Sequence, residues 1–368
     1  MSTTGILLTV DSQSSTTQLA TDSKELLGHQ REPWVDILIN VILWSLCAFT
    51  VIGNALVLIA FAVDSRVRSK VSNLYILNLS IADFIVGCMS IPLYNVYIHR
   101  GIWPFGEVVC KFWISMDFSA CSVSVYGIVL ISYDRFMLIT KGLDYDKHQT
   151  KIKFLILAGT CWGVSIFRNA LAYCGYDVWN ESAVDYDIVC DSPLLSSVPY
   201  MTYECVISFF IPVTLTTYFN VTLYLDIRRR SRIVPGSRRT NTTNTTRPAS
   251  ILVEPAQTST IGSGPHSSSD NLQDSSSPHH REGTRDIRKH RKAAVTLGLI
   301  VAVSTTCWAI YFSITITNAV FQADIGNALN VASYYVYYAN SAINPLLYVA
   351  TNPNIRRGIA RILFLKRK

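Results

Sequence analysis

Residues 108–139 read VVCKFWISMDFSACSVSVYGIVLISYDRFMLI, and this stretch decides the fold. Between Phe112 and Tyr133 the only acidic or basic side chain is Asp117. A helix needs about 20 predominantly apolar residues to cross ~30 Å of hydrocarbon, and this run exceeds that. Six further stretches of the same kind lie near 35–63, 73–97, 154–175, 199–227, 293–320 and 326–350. Overall, 49% of the 368 residues are apolar and 15% charged, a balance that fits lipid as the solvent. The expected fold is an all-α membrane protein, a seven-transmembrane-helix bundle.

The formal charge of +7 matters less for its size than for its placement. With the N-terminus outside, 27 Lys and Arg residues fall in the tail and inner loops. Four (Lys24, Arg31, Arg100, Lys111) fall outside, and Arg168 lies within the fourth span. Basic residues accumulate on the cytoplasmic side, so the asymmetry predicts an outside N-terminus and a cytoplasmic C-terminus. Because the basic residues are divided among loops flanking apolar spans, no nucleic-acid partner is expected. Residues 1–34 are polar and carry no signal-peptide pattern, so the first span is expected to act as its own anchor.

Residues 228–292 are rich in Ser, Thr, Pro and charge and lack the apolar surface to fold alone. Arg228-Arg229-Arg230 and Arg288-Lys289-His290-Arg291-Lys292 at its ends read as helical extensions of spans five and six. The tail, 351–368, begins at Asn352-Pro353; apolar positions 355, 359, 362 and 363 alternate with basic 356, 357 and 361. That spacing predicts a short amphipathic eighth helix on the inner leaflet, the alternative being an unstructured basic tail. Cys110 and Cys190 sit at outer helix ends, where an oxidising exterior permits a disulfide; Cys174 is the competing partner. Asn180-Glu181-Ser182 is a glycosylation sequon on the outer side.

Ionisable residues inside a membrane cost roughly 2.5–3.5 kcal/mol each on insertion scales and mark functional sites. Here they are Asp83, Asp117, Arg168 and Glu204. Asp117 lies about two helical turns inside Cys110, and a cationic ligand would satisfy it. Glu204 and Ser208 share one face of span five, and two carboxylates on facing helices point to a ligand with two donor or cationic ends. Glu204 has two competing fates, pairing with Arg168 or facing water. Cys121, one turn below Asp117, joins the expected contact set. Trp308, Tyr311 and Phe312, with Tyr334 and Tyr338, supply aromatic faces for an ammonium cage. Asp83 with Ser124, Asn340, Ser341 and Asn344 offers hard oxygen ligands for Na⁺, or a hydrated polar network. No other cofactor is expected.

These residues together resemble the rhodopsin-like (class A) G-protein-coupled receptors. The resemblance rests on Gly53-Asn54, Leu79-Ser80-Ile81-Ala82-Asp83, Trp103-Pro104-Phe105-Gly106, Asp134-Arg135-Phe136, Trp162, Pro212, Cys307-Trp308 and Asn344-Pro345-Leu346-Leu347-Tyr348, in order across seven spans. It implies a plasma-membrane receptor in which Asp134, Arg135, Phe136, Pro212, Pro345 and Tyr348 serve activation and G-protein coupling. Asp117 matches the position at which aminergic receptors hold an ammonium. Ile91-Pro92-Leu93-Tyr94, residues 128–136, Phe219-Asn220, Tyr224-Leu225 and residues 340–345 most resemble histamine receptors of the type three and type four branch. That branch implies inhibitory G proteins, with arrestin as a further partner.

Departures qualify the resemblance. Ser208 stands where the histamine branch has its acid, with Glu204 one turn further out. Ile310 replaces the proline of span six and Ser304 an aromatic switch residue, which predicts a straighter helix. His290 replaces an acid that pairs with the arginine of span three, leaving Arg135 to its neighbour Asp134. In the expected mechanism an amine bridges Asp117 to Glu204 and Ser208 and draws helices three and five together. An enzyme is excluded by the lack of nucleophile, phosphate-loop or metal motifs. A transporter is disfavoured by the absence of repeats, and an opsin by the absence of lysine in 326–350. The alternatives are a receptor for acetylcholine or a monoamine, or an orphan receptor that signals weakly.

Overall fold

The computed structural model describes residues 33–179, 184–186, 188–190, 192–233, 278–321 and 327–364, and all long elements among them are helical. In chain order these are α1 (Pro33–Val63), α2 (Val71–Arg100), α3 (Gly106–Lys141) and α4 (Lys151–Trp179). Helix α5 follows as Val198–Cys205, a π turn at Val206–Phe210, and Ile211–Ile233. Then come α6 (Pro278–Phe321), α7 (Asn327–Thr351) and the short α8 (Pro353–Leu363). Seven helices pack side by side as the bundle expected from the apolar runs, with α8 docked at one end.

Among the described residues, α1 to α5 are long and apolar enough to cross a bilayer by composition alone. Helix α7 falls short because its Asn340, Asn344, Tyr337, Tyr338 and Tyr348 are polar or amphipathic, yet these side chains are buried. Packing against α1 and α6 seats α7 in the bundle. Helices in lipid gain little from excluding water and associate through close packing at small residues. Gly53 of α1 shows this: a Cβ there would lie 3.1 Å from Pro345 Cγ of α7.

Prolines explain two local distortions. A proline removes an N–H and pushes its ring against the carbonyl one turn back. Helix α2 widens into a π turn at Val86–Ser90 beside Pro92, and α5 widens at Val206–Phe210 before Pro212. Tyr126 of α3 donates a hydrogen bond to the Ile207 carbonyl inside that second widened turn, at 3.0 Å. Helix α6, with Ile310 in place of proline, runs as uninterrupted α-helix from Pro278 to Phe321. Arg228–Arg230 and 288–292 lie on the helical ends of α5 and α6.

Helix α3 is the axle of the bundle. It packs against α2, α4, α5 and α6, and its buried residues lie on all sides. After α7, Asn352 caps α8, accepting from the backbone N–H groups of Asn354 and Ile355, with Pro353 in the first turn. Ile355 and Ile359 of α8 bury against α1, where Gly358 allows close approach to Ala60. Arg361 bonds Asp64 at 2.6 Å, and Leu363 stays exposed, so part of the amphipathic face serves the protein and part is left for lipid.

Candidate ligand site and polar core

The Cys110–Cys190 disulfide, Cα to Cα 5.6 Å, ties the loop between α4 and α5 to the start of α3. This resolves the competition left open by sequence: Cys174 is a free thiol beside Ser115, at 3.6 Å. The same loop is held by Trp103, whose backbone N–H donates to the Ile188 carbonyl. Beneath it lies a cavity of about 240 Å³. Its walls are Tyr94, Tyr97 and Ile98 from α2, Trp113, Ile114, Asp117 and Phe118 from α3, and Asn330, Val331, Tyr334 and Tyr338 from α7, with Cys190 and Leu195 above. The cavity opens between α2, α3 and α7 and, among the described residues, has no wall from α5 or α6.

Asp117 is 3% exposed and is the one carboxylate in that wall among the described residues. Tyr338 donates to its Oδ2 at 3.2 Å, and the Cys121 thiol points at Oδ1 from 3.9 Å, long for a bond. No ion pair reaches Asp117 among the described residues. The aromatic surroundings differ in part from the expected cage. Tyr334 and Tyr338 line the cavity as expected, but their partners there are Tyr94 and Trp113, with Tyr94 centred 4.9 Å from Tyr334 and 6.4 Å from Trp113. Trp308, Tyr311 and Phe312 pack among themselves and against Tyr337, which sits 4.7 Å from Trp308 and 4.8 Å from Tyr311, and Tyr311 reaches the cavity wall through Tyr334 at 5.2 Å. They form a floor next to the cavity, as does Cys121. Sequence reasoning missed Trp113 and Tyr337, although Trp113 stands one turn before Asp117 and its spacing places both on one face.

The second carboxylate departs from the expectation that it awaits a ligand. Glu204 is 2% exposed, and Arg168 of α4 forms an ion pair with its Oε2. Ser208 donates to the other oxygen, Oε1, at 2.6 Å. Arg168 also donates to Ser122 of α3 at 3.0 Å. Glu204 and Ser208 are therefore parts of a clasp across α3, α4 and α5. The physical reason is desolvation: a lone buried charge is costly, and the one cation within the spans meets the nearest anion.

Deeper in the bundle, Asp83 is fully buried and accepts from Ser124 at 2.9 Å and from Asn344 at 2.9 Å. Asn340, expected beside Asp83, instead accepts a 2.6 Å hydrogen bond from Ser304 of α6. The Ser341 side chain faces the Asp83 carboxylate, and its backbone carbonyl accepts from Asn54 at 3.1 Å. Among the described residues no cluster of three His, Cys, Asp or Glu side chains exists to bind a metal. Any cation at Asp83 would rely on hydroxyl and carbonyl oxygens, and the Ser124 hydroxyl can turn to supply one.

At the opposite end of α3 Asp134 accepts a 2.6 Å hydrogen bond from Tyr145 of the loop between α3 and α4, and no ion pair joins it to Arg135 among the described residues. Burial, then the nearby Asp134, pushes the Tyr145 hydroxyl well above its usual range, so it stays protonated as the donor. Phe136 packs on Phe219, 5.6 Å between centroids, and Tyr348 is buried in the inner core. Trp162 donates to Asn78 at 3.0 Å. The side chain of His290 and the sequon at Asn180 lie outside the described residues.

The sequence pattern of the 7 transmembrane receptor (rhodopsin family) matches residues 53–348. The human histamine H4 receptor is 29% identical, over 88% of this chain and 91% of the relative, and the rat one 30%, over 87% and 91%. The bovine alpha-1A adrenergic receptor is 26% identical over 90% of this chain and 69% of its own length. The bundle, its disulfide and the length of this match place the chain in the rhodopsin family of seven-transmembrane receptors, a multi-pass membrane receptor and not an enzyme.

Proposed function

We propose that this chain is a cell-surface receptor for a small cationic amine, with Asp117 as the counter-ion of the ammonium group. One observation carries the reading: a buried carboxylate, held only by neutral donors, forms the polar point of an aromatic-lined cavity of about 240 Å³. That is within reach of the smaller ligand sites of proteins, which combine apolar walls with a few placed polar groups. The ammonium would contact Asp117 while Tyr94, Trp113 and Tyr334 present ring faces to it and to the ligand's body. The relatives named above respond to histamine or to adrenergic amines by name, so an amine is the ligand class they share.

The outer position of the N-terminus is supported by the one-sided distribution of Lys and Arg. The disulfide at the cavity end, opposite the basic α8, agrees with it. Ligand binding biases two bundle states only by its differential affinity for them. A heterotrimeric G protein of the inhibitory class and arrestin would engage the Arg135 end and the helical extensions of α5 and α6. The Asp83 cluster is suited to Na⁺, which would favour the state with the tighter polar core. Asp83→Asn should then abolish any Na⁺ dependence of agonist affinity.

Histamine is the first ligand to test. A second reading, a different monoamine, is favoured by the Arg168–Glu204 pair, which removes the acidic end that would meet an imidazole. The test is competition binding on membranes expressing the full chain, with histamine, acetylcholine and monoamines, and Asp117→Asn alongside. Displacement that disappears in the variant supports the amine site and identifies the ligand. Amine binding that survives Asp117→Asn refutes it.

A further inference from the structure

Helix α7 gives the Asp117 cavity Asn330, Tyr334 and Tyr338, spaced four apart and so on one face of the helix. Tyr338 marks the inner end of that row by donating to Asp117. Asn330 marks the outer end, where it is half-buried and carries the one side-chain amide in the wall among the described residues. Its neighbour on the next helix fixes how that amide is used. Asn318 of α6 donates from Nδ2 to Asn330 Oδ1 at 2.6 Å. The bond engages the carbonyl oxygen of Asn330 and leaves its amide N–H groups without an acceptor among the described residues. A ligand that fills the cavity drives water from those N–H groups, and an apolar end would leave them unpaired.

We infer that Asn330 is a specificity-determining residue: it donates to a neutral hydrogen-bond acceptor on the ligand, and Asn318 positions it to do so. The inference rests on the reading of Asp117 as the ammonium counter-ion and narrows the ligand to amines with an acceptor at the far end. The span follows from the helix. Asn330 and Tyr338 are two turns apart, or about 12 Å of axial rise. A hydrogen bond of about 3 Å at each end takes half of that, so ammonium and acceptor stand roughly 6 Å apart. The polar end of the ligand then points along α7 and not toward α5.

The test uses the full-length receptor purified in detergent, with thermal stabilisation by added amines as the direct readout of binding. The probes are ω-amino-N,N-dimethylalkanamides of graded length, each matched with the n-alkylamine of the same length. Both members of a pair carry one ammonium, and only the amide adds an acceptor. In the wild type the amide should bind about fivefold tighter than its partner at one optimal length. Asn330→Leu should bring that ratio to about one while n-alkylamines still bind. Asn318→Asp presents only acceptor oxygens, so it should turn the Asn330 N–H groups away from the ligand and remove the preference as well. Comparison within each pair cancels the effect of the added charge. A wild-type ratio near one at every length, or a ratio unchanged in Asn330→Leu, overturns this inference; if Asp117→Asn still abolishes amine binding, the amine reading stands. Amine binding indifferent to Asp117→Asn overturns both. Should Asn330→Leu fail to fold, Asn318→Asp decides the matter, since a preference retained there overturns the inference.

Discussion

Asp117 and Glu204 are alike in burial, 3% and 2% exposed, and unlike in company. Glu204 has a full guanidinium and a hydroxyl; Asp117 has a phenol at 3.2 Å, the Ser90 hydroxyl and a distant thiol, all neutral. The same side-chain chemistry therefore does two jobs. Where a protein cation completes the charge, the carboxylate clasps helices together. Where none does, the carboxylate is the one proposed above to meet a ligand's ammonium. A charge in a membrane protein is informative only together with its partner.

The comparison breaks most decisively at Asp117. Asp117→Ala should remove amine binding, with an affinity loss of more than about 100-fold, as for a buried charge pair that loses one member. Its effect on thermal stability should be small, because it has no cation to orphan. Glu204→Ala should behave in the reverse sense, lowering stability by about 3 kcal/mol since Arg168 is left buried and unpaired. The double variant Arg168→Gln with Glu204→Gln should recover more than half of that loss; a melting-temperature cycle that is additive would show that the two residues do not interact. Tyr338→Phe sharpens the contrast by removing one neutral donor, and should weaken amine affinity by about fivefold, or ~1 kcal/mol. Cys121→Ser is expected to change affinity by less than about twofold, since its 3.9 Å contact is already weak. If Cys121→Ser matches Asp117→Ala in saturation binding, the assignment of Asp117 as the sole charge anchor fails.

A second pair of regions repeats the lesson on the scale of helices. Helix α5, with Pro212, widens into a π turn, while α6, with Ile310, continues without interruption. In α6 the position resembling an aromatic switch is Ser304, which bonds Asn340 of α7 at 2.6 Å. The loss of proline was legible in the sequence; the polar link that Ser304 makes was not, because counting residues along the helices places Asn340 at the level of Asp83. Depth along a helix follows from counting residues, but its rotation depends on neighbours.

Some of this protein was decided before any contact formed. Seven apolar runs, the one-sided basic charge, the proline positions and the amphipathic tail follow from composition and period, because lipid demands that every span satisfy its own backbone. Asp117 was legible as well, since a lone acid near the outer end of an apolar helix is rare enough to stand out. The tertiary structure alone decided that Cys110 takes Cys190 and not Cys174, that Arg168 takes Glu204, and that the cavity opens toward Tyr94 and Tyr334 rather than toward α5. Those outcomes depend on how each helix is rotated and how closely it approaches its neighbours. The 3.6-residue period specifies which side chains share a face; only packing specifies what that face meets.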